Sequence, residues 1–288
     1  MQEAFPNEGS YCVTALVAYD LIVAIENLKA TIPNELLNKY KSIVSPLIEY
    51  VMSSDEHHAF ISNHLATAAA ALIKWNKLTG DNTHAKGTSI VDRIFDKQSN
   101  EGWFLEYEGA DPGYQTLCIN YLADIYISSK ELDFLDKIDK SINFLLHCTH
   151  PDGSFGGIYG SRNTRFYYPG GIEYFADKLK SAKCLADYMA LSISENKTVN
   201  LDAIDEPNLI PMFNSFCFAA ENCKKRDINK SYDRSRNNVI PCLSTKEWTK
   251  IYPQAGVCIN KGKTTYSIIS LNKPDHQVLT FGFVKSGK

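Results

Sequence analysis

The stretch "SNHLATAAAALIKWNKLTGD", residues 62–81, joins a polar head to a run of alanines. The distance between packed helices depends on the side chains at their contact, and alanines allow a close approach. The run therefore predicts a helix enclosed by other helices. Asn63 and His64 stand at its head, where they either begin the helix or belong to a site that the helix holds.

Three other stretches repeat this pattern of a polar head that runs into an apolar helix, at steps of roughly 50 residues. They are "PNEGSYCVTALVAYDLIVAIENL" (6–28), "GADPGYQTLCINYLADIYI" (109–127) and "GSRNTRFYYPGGIEYFADKL" (160–179). Between them lie stretches whose apolar residues recur every three or four positions, which indicates helices with one buried face. These are residues 34–52, 84–98 and 131–148.

A repeat of this length holds two helices, and such hairpins bury their apolar faces only by stacking. We expect two layers, with the apolar helices inside the amphipathic ones. A closed ring and an open solenoid both fit this alternation. The connections between hairpins are long and rich in Gly, Asn and Asp, and long connections gathered on one face commonly carry function.

The character of the chain changes after about residue 200. We predict a helical domain over 1–205, a short helix and linker over 206–240, with Lys224–Asn238 as an exposed linker, and a β-strand segment over 241–288. The last segment alternates polar and apolar residues and is rich in β-branched and aromatic ones, which predicts about three strands with turns at 260–263 and 272–276.

Composition excludes several classes of function. The net charge is -3, which gives no basic surface for nucleic acid. No run of about 18 apolar residues predicts a membrane span, and no signal peptide is visible, so we expect a cytoplasmic protein. The eight cysteines are scattered and are expected to be buried thiols. No metal site or cofactor is predicted.

The heads of the inner helices should meet around one mouth, with Asn, His, Tyr and Arg side chains that suit a sugar carrying a carboxylate. Each residue also has a purely structural interpretation: Asn63 as a helix cap, His64 as a core histidine, Tyr114 as a packing aromatic, and Asp111 as a turn residue. The arginines could equally be solvated. The recurrence of polar residues at the same position of each repeat favours a functional site. The candidates are Glu8, Tyr11, Asn63, His64, Asp111, Tyr114, Gln115, Arg162, Asn163, Arg165 and Tyr168.

Three stretches resemble the heparinase II/III-like group of polysaccharide lyases, which includes alginate lyases and glucuronyl epimerases. Residues 62–81 resemble the family's Asn-His helix start, 106–126 its acidic turn before a tyrosine-headed helix, and 252–273 the opening strands of its β-sandwich. The resemblance implies a mainly α fold. It consists of an (α/α) toroid, incomplete here with four to five hairpins, followed by a short β-strand segment similar to the start of a β-sandwich.

The resemblance also implies β-elimination at a uronic acid within an acidic oligo- or polysaccharide. Asn63 and His64 would neutralise the carboxylate so that the C5 proton can leave, and Tyr114 would transfer that proton. The remaining candidates would bind the substrate: Glu8, Tyr11, Asp111, Gln115, Arg162, Asn163, Arg165 and Tyr168.

The chain also departs from the family's pattern. Gln115 stands where many relatives have histidine, and His276 is the only histidine after His150. The chain is also short for the family, as a fragment or a reduced homologue would be. The alternative is therefore a non-catalytic protein on the same fold, which binds a glycan or takes part in surface-polysaccharide assembly. A terpene-cyclase-like toroid ranks last, because the sequence lacks the acidic motif of that chemistry.

Overall fold

The computed structural model describes residues 9–223, 240–271 and 280–285. The chain is mainly helical and has a small antiparallel sheet near its C-terminal end. The helices are α1 (Tyr11–Leu28), α2 (Asn34–Ser53), α3 (Ser62–Thr79), α4 (His84–Asp96), α5 (Pro112–Ser128), α6 (Leu135–Leu146), α7 (Gly170–Phe175), α8 (Lys180–Ser194) and α9 (Glu206–Cys223). The strands are β1 (Leu105–Glu106), β2 (Gly109–Ala110), β3 (Trp248–Tyr252), β4 (Val257–Lys261), β5 (Thr265–Ser270) and β6 (Thr280–Lys285).

Helix α3 is the enclosed helix that its alanines predict. It packs against α1, α4 and α5, and Ala66 and the run 68–71 are completely buried. The predicted amphipathic helices α2, α4 and α6 are present and bury one face each, in α2 through Val44, Ile48 and Val51. The alternation of enclosed and one-faced helices in the sequence is confirmed for these elements.

The odd-numbered helices continue one another in space. Helix α1 contacts α3, α3 contacts α5, α5 contacts α7, and α7 contacts α9. Helix α9 also touches α1, where the side-chain amide of Asn214 donates to Oδ1 of Asp20 at 2.6 Å. The sequence predicts one short helix after residue 200, and the structure has the 18-residue α9 there.

The fourth repeat departs from the sequence pattern. Its helix α7 has six residues, and the head that precedes it is irregular. The start of this helix packs closely on α5, because a Cβ on Gly171 would stand 2.5 Å from the carbonyl oxygen of Ile119. A Cβ on Gly170 would meet the side chain of Asn120 at 2.4 Å. The glycine pair therefore lets α7 lie directly on α5, and a second helix, α8, follows at once.

A buried ionic cluster ties the inner helices together near their far ends. The ammonium group of Lys74 in α3 lies 2.7 Å from Glu26 of α1 and 3.1 Å from Asp124 of α5. The hydroxyl of Tyr19 donates to Asp124 at 2.7 Å. Burial lowers the pKa of Lys74, but the two carboxylates outweigh burial and raise it overall, so the cation is retained.

Strands β3 to β6 form an antiparallel sheet in sequence order. The sheet packs on the end of α6, where the hydroxyl of Tyr266 donates to the carbonyl of His147 at 2.7 Å. Tyr252 contacts the ring of the same histidine at 3.0 Å. The strand segment is thus confirmed, with four strands where about three were expected. Lys224–Asn238, His276 and the turn at 272–276 lie outside the described residues.

Helix α1 is long and apolar enough to cross a membrane by length and composition alone, whereas the sequence pattern predicts no such span. Ala15, Ala18 and Ile22 of this helix are completely buried in the protein. The core helix of a soluble protein can be equally long and apolar. No disulfide joins the cysteines, all of which lie in the described ranges. Cys118, Cys148 and Cys242 are buried as expected, whereas Cys217 is exposed.

Replacing Lys74 by alanine leaves Glu26 and Asp124 close together without their shared cation. We expect a loss of about 3 kcal/mol in the free energy of unfolding, measured by urea denaturation at pH 7. Lys77→Ala is the matched control, because Lys77 is exposed on the same helix, and we expect a change below about 0.5 kcal/mol. Equal losses in the two variants would show that the cluster does not stabilise the fold.

Candidate functional site

The start of α3 is held against the hairpin formed by β1 and β2. The hydroxyl of Ser62 donates to the carbonyl of Leu105 at 2.6 Å, and Ile61 pairs with Glu106 as an isolated bridge. Ile61 is the residue that precedes the helix, and no side chain caps this end. The interpretation of Asn63 as a helix cap is therefore wrong, because its side chain is used elsewhere.

The side chain of Asn63 is bound to the hairpin. Its amide nitrogen donates to Oε1 of Glu106 at 2.6 Å, and both residues are almost completely buried. Burial raises the pKa of Glu106 to about 8, since the hydrogen bond from Asn63 offsets only part of the desolvation and the charge of Asp111 adds to it. Glu106 is therefore a neutral carboxylic acid at pH 7, although it had not been singled out from the sequence.

His64 forms a pair with Glu56, a residue in the irregular segment before α3. Nδ1 of His64 lies 2.6 Å from Oε2 of Glu56, whose side chain is only 3% exposed. Burial opposes ionisation of Glu56, but hydrogen bonds from His64 and His58 outweigh it and lower the pKa to about 2. The carboxylate orients the imidazole, so that Nε2 is the ring nitrogen left without a hydrogen bond to any described residue.

Asp111 is the anchor of the site. One carboxylate oxygen accepts from the backbone N–H of Tyr114 at 3.1 Å, as the cap of α5, and from the hydroxyl of Thr164. The other accepts from the backbone N–H of Arg162 at 2.9 Å and of Thr164 at 3.4 Å. Asp111 is fully buried and has both oxygens engaged, so it positions its neighbours and does not face a ligand.

Tyr114 stands at the head of α5 and is partly buried. Its ring packs edge-on against Phe166, with centroids 5.1 Å apart. Burial raises the pKa of Tyr114, and the charges of Glu106 and Asp111 raise it further. Its phenol therefore keeps its proton at neutral pH and is suited to donate one.

Tyr11, at the head of α1, adds a second phenol to this group. It is buried, and its hydroxyl has no hydrogen-bond partner in the part of the chain that the structure describes. Burial raises the pKa of Tyr11, and the charges of Asp55 and Glu56 raise it further, whereas that of Arg93 lowers it. Tyr11 is therefore within electrostatic reach of Glu56.

Arg162 supplies an exposed cation beside the site. Its guanidinium carbon lies 4.3 Å from the centroid of the Tyr107 ring, a cation–π contact. It forms no ion pair with a carboxylate in the described ranges. Tyr107, in the turn between β1 and β2, and Asn163, next to Arg162, both have φ of 60°, in the left-handed region that side chains rarely adopt.

The other candidates lie elsewhere. Gln115 is buried and donates to the carbonyl and hydroxyl of Ser141 in α6, so its amide nitrogen points away from the mouth. Tyr168 is buried and its hydroxyl donates to Asn208 at 3.2 Å. Arg165 lines a separate cavity, Asn163 is exposed, and Glu8 lies outside the described residues.

The structure thus joins Asn63 to Glu106, His64 to Glu56, and Asp111 to the backbone N–H groups of Tyr114 and Arg162, while Tyr11 is within electrostatic reach of Glu56. Glu106 lies in the acidic turn 106–111, and its position in that motif is the signal by which the sequence could have identified it as a site residue. Glu56 precedes α3 by six residues in a segment with no regular structure, and no periodicity marks it. Among the described residues, no group of three or more His, Cys, Asp or Glu side chains could hold a metal ion.

Replacing Glu106 by glutamine should remove a pH dependence of stability. The folded protein keeps the Glu106 proton up to about pH 8, whereas the unfolded chain releases it near its ordinary pKa of 4.5. The free energy of unfolding should therefore fall as pH rises between these values, by at most about 1.4 kcal/mol per pH unit for this group.

In Glu106→Gln, which preserves an acceptor for Asn63, we expect a flatter profile than in the unmodified protein, measured from urea midpoints between pH 5 and pH 8. Glu108→Gln changes an exposed residue of the same hairpin and should keep the original slope. Identical slopes in the protein and in Glu106→Gln would show that Glu106 is ionised in the folded state.

No protein-family model matches this chain, and no curated protein matches it significantly. The assignment of a function therefore rests on the chemistry of the residues gathered at the start of α3.

Proposed function

We propose that this chain is a carbohydrate-active enzyme that removes the C5 proton of a uronic acid in an acidic glycan, as uronate lyases and epimerases do. The observation that carries the proposal is the pairing of His64 with the ionised Glu56. Glu106 and Tyr114, whose raised pKa values keep them protonated at neutral pH, are the candidate acids. A carboxylate–histidine pair is a general base, and a neutral phenol nearby is a general acid.

The reaction begins with neutralisation of the substrate carboxylate, because a negative charge next to C5 makes its proton only weakly acidic. Arg162 is the candidate for this role, since it is exposed, cationic and stacked on Tyr107. A guanidinium binds a carboxylate through two parallel hydrogen bonds. The family resemblance assigns this task to Asn63. Its side chain is already bound to Glu106, and it would support the site through that hydrogen bond.

Nε2 of His64 then takes the C5 proton, and the electron pair moves onto the carboxylate group as an enediolate. The carboxylate of Glu56 stabilises the resulting imidazolium. In elimination, the C4–C5 double bond forms as the C4–O bond breaks, and the leaving oxygen takes its proton from Tyr114. In epimerisation, the phenol instead returns a proton to the opposite face of C5. The raised pKa of Tyr114 keeps its phenol protonated at neutral pH and so leaves the base role to His64.

The architecture we propose for this enzyme is an (α/α) toroid that is short of a full set of hairpins. The succession of contacts from α1 through α3, α5 and α7 to α9, with the Asn214–Asp20 hydrogen bond between α9 and α1, supports a ring. The β-sheet that packs on α6 would correspond to the start of a β-sandwich.

A second function has one observation in its favour. Asn63 is engaged by Glu106, and Gln115 donates to α6, so two groups that could contact a uronate carboxylate face other partners. Such a site would suit a protein that binds an acidic glycan without altering it. Catalytic turnover of an acidic glycan distinguishes the enzyme from the binding protein.

The catalytic role of His64 predicts its effect on turnover. With a panel of uronate polymers, we expect an absorbance rise from the unsaturated product or, for an epimerase, exchange of C5 hydrogen with deuterium from D₂O. His64→Ala and Tyr114→Phe should each lower the rate by roughly 100-fold to 10,000-fold.

His84→Ala is the control, because His84 contacts Ser129 and Glu131 outside the site and the variant should keep full activity. Binding of a polymer with neither elimination nor exchange would instead establish the non-catalytic function. The proposed enzymatic function would then be wrong.

The role of Arg162 is tested by binding. Arg162→Ala should weaken the affinity for a uronate oligosaccharide by roughly 10-fold to 100-fold, because a charge-assisted hydrogen bond is lost, and Arg162→Lys should restore part of it. The control is the same oligosaccharide with its carboxylates reduced to alcohols, whose affinity should not depend on residue 162. An equal effect on both ligands would mean that Arg162 acts through the loop and not through the carboxylate.

A further inference from the structure

A cavity of about 530 Å³ is lined in part by Arg165, three residues after Arg162. It is lined by the loop that follows α6, by residues 197–199 and by strand β5 of the sheet. Its volume is within the range of small-molecule sites. None of the residues assigned to the proposed reaction lines it.

The floor of this cavity is aromatic and apolar. Phe155, Tyr159, Tyr266 and Ile268 line it and are almost completely buried. His150 completes the floor, with Nδ1 at 2.7 Å from the hydroxyl of Ser154 and Nε2 at 3.0 Å from that of Tyr159. Burial lowers the pKa of His150 to about 4, so it carries no charge at neutral pH. Such a floor suits the C–H face of a sugar ring.

The rim, in contrast, is cationic. Arg165 and Lys197 are exposed, and neither forms an ion pair with a carboxylate in residues 9–223 or 240–271. The one acidic residue of the lining, Asp152, accepts hydrogen bonds from the N–H and hydroxyl of Ser154 and so stabilises the turn in which it lies. The rim thus carries two cations against one acid.

The wall between the rim and the floor is fixed by a close backbone contact. Gly156 has φ of 64°, and a Cβ there would stand 2.5 Å from the carbonyl oxygen of Thr164, the residue before Arg165. Thr164 is in turn bound to Asp111. The position of the Arg165 backbone beside the cavity is therefore set by the packing of the loop.

We propose that this cavity binds an anionic sugar ring, a pyranose bearing a carboxylate or a phosphate, with the anion on Arg165 and Lys197 and the ring on the aromatic floor. The site goes beyond the proposed reaction and does not depend on it, because no residue of the His64 group takes part. It would hold its ligand even if the protein did no chemistry.

The test is a titration followed by NMR of isoleucine methyl groups in the full-length protein. The ligands are glucuronate, glucose 6-phosphate, glucose and inorganic phosphate at equal concentrations. We expect the signals of Ile158 and Ile268, which line the cavity, to shift with at least one of the two anionic sugars, and that of Ile48 in α2 to stay in place. The tighter of the two anionic sugars identifies the source of the anion.

The double variant Arg165→Ala/Lys197→Ala should lose at least tenfold in affinity for that sugar, whereas Lys39→Ala, which removes an exposed charge on α2, should bind it unchanged. If the double variant does not fold, Lys197→Glu alone gives the same comparison. The proposal is overturned if neither anionic sugar shifts these signals, if glucose or inorganic phosphate shifts them equally, or if a correctly folded variant binds as tightly as the unmodified protein.

Discussion

The enclosure of α3 is the constraint on which the rest of the structure depends. Alanine side chains at its middle bring α1, α4 and α5 close, and this leaves polar residues only at its two ends. At one end, Lys74 joins α1 and α5 through two carboxylates. At the other, Ser62, Asn63 and His64 are held by hydrogen bonds to the hairpin and to Glu56. A helix surrounded in this way cannot rotate without breaking both groups, so its head has a fixed orientation.

The candidate site contains two glutamates in opposite protonation states. Glu56 is ionised because it accepts hydrogen bonds from two histidines, whereas Glu106 is neutral because it is more deeply buried, has one amide donor and has an acidic neighbour. The difference comes from both their depth and their partners. Sites that carry out acid and base chemistry at one pH depend on such a separation of pKa values.

The sequence was sufficient to predict the layers and only part of the site. The alanine run of α3, the three-and-four spacing of α2, α4 and α6, and the alternation in β3 to β5 each reflect local burial, which has a periodic signature. Asn63, His64 and Tyr114 could be found because they head helices. Glu56 could not, because it reaches His64 from an irregular segment, and the direction of Gln115 depends on Ser141 in another helix. Such partners are decided by tertiary packing, which leaves no periodic pattern in the chain.

The segment 161–165 has Arg162 on one side, beside Tyr107, and Arg165 on the other, above the aromatic floor, while Asp111 clamps the backbone between them. A ligand that displaces this short segment from either side would work against the same buried carboxylate. Occupancy of the two sides is then thermodynamically linked, and any factor by which one ligand changes the affinity of the other must be reciprocal.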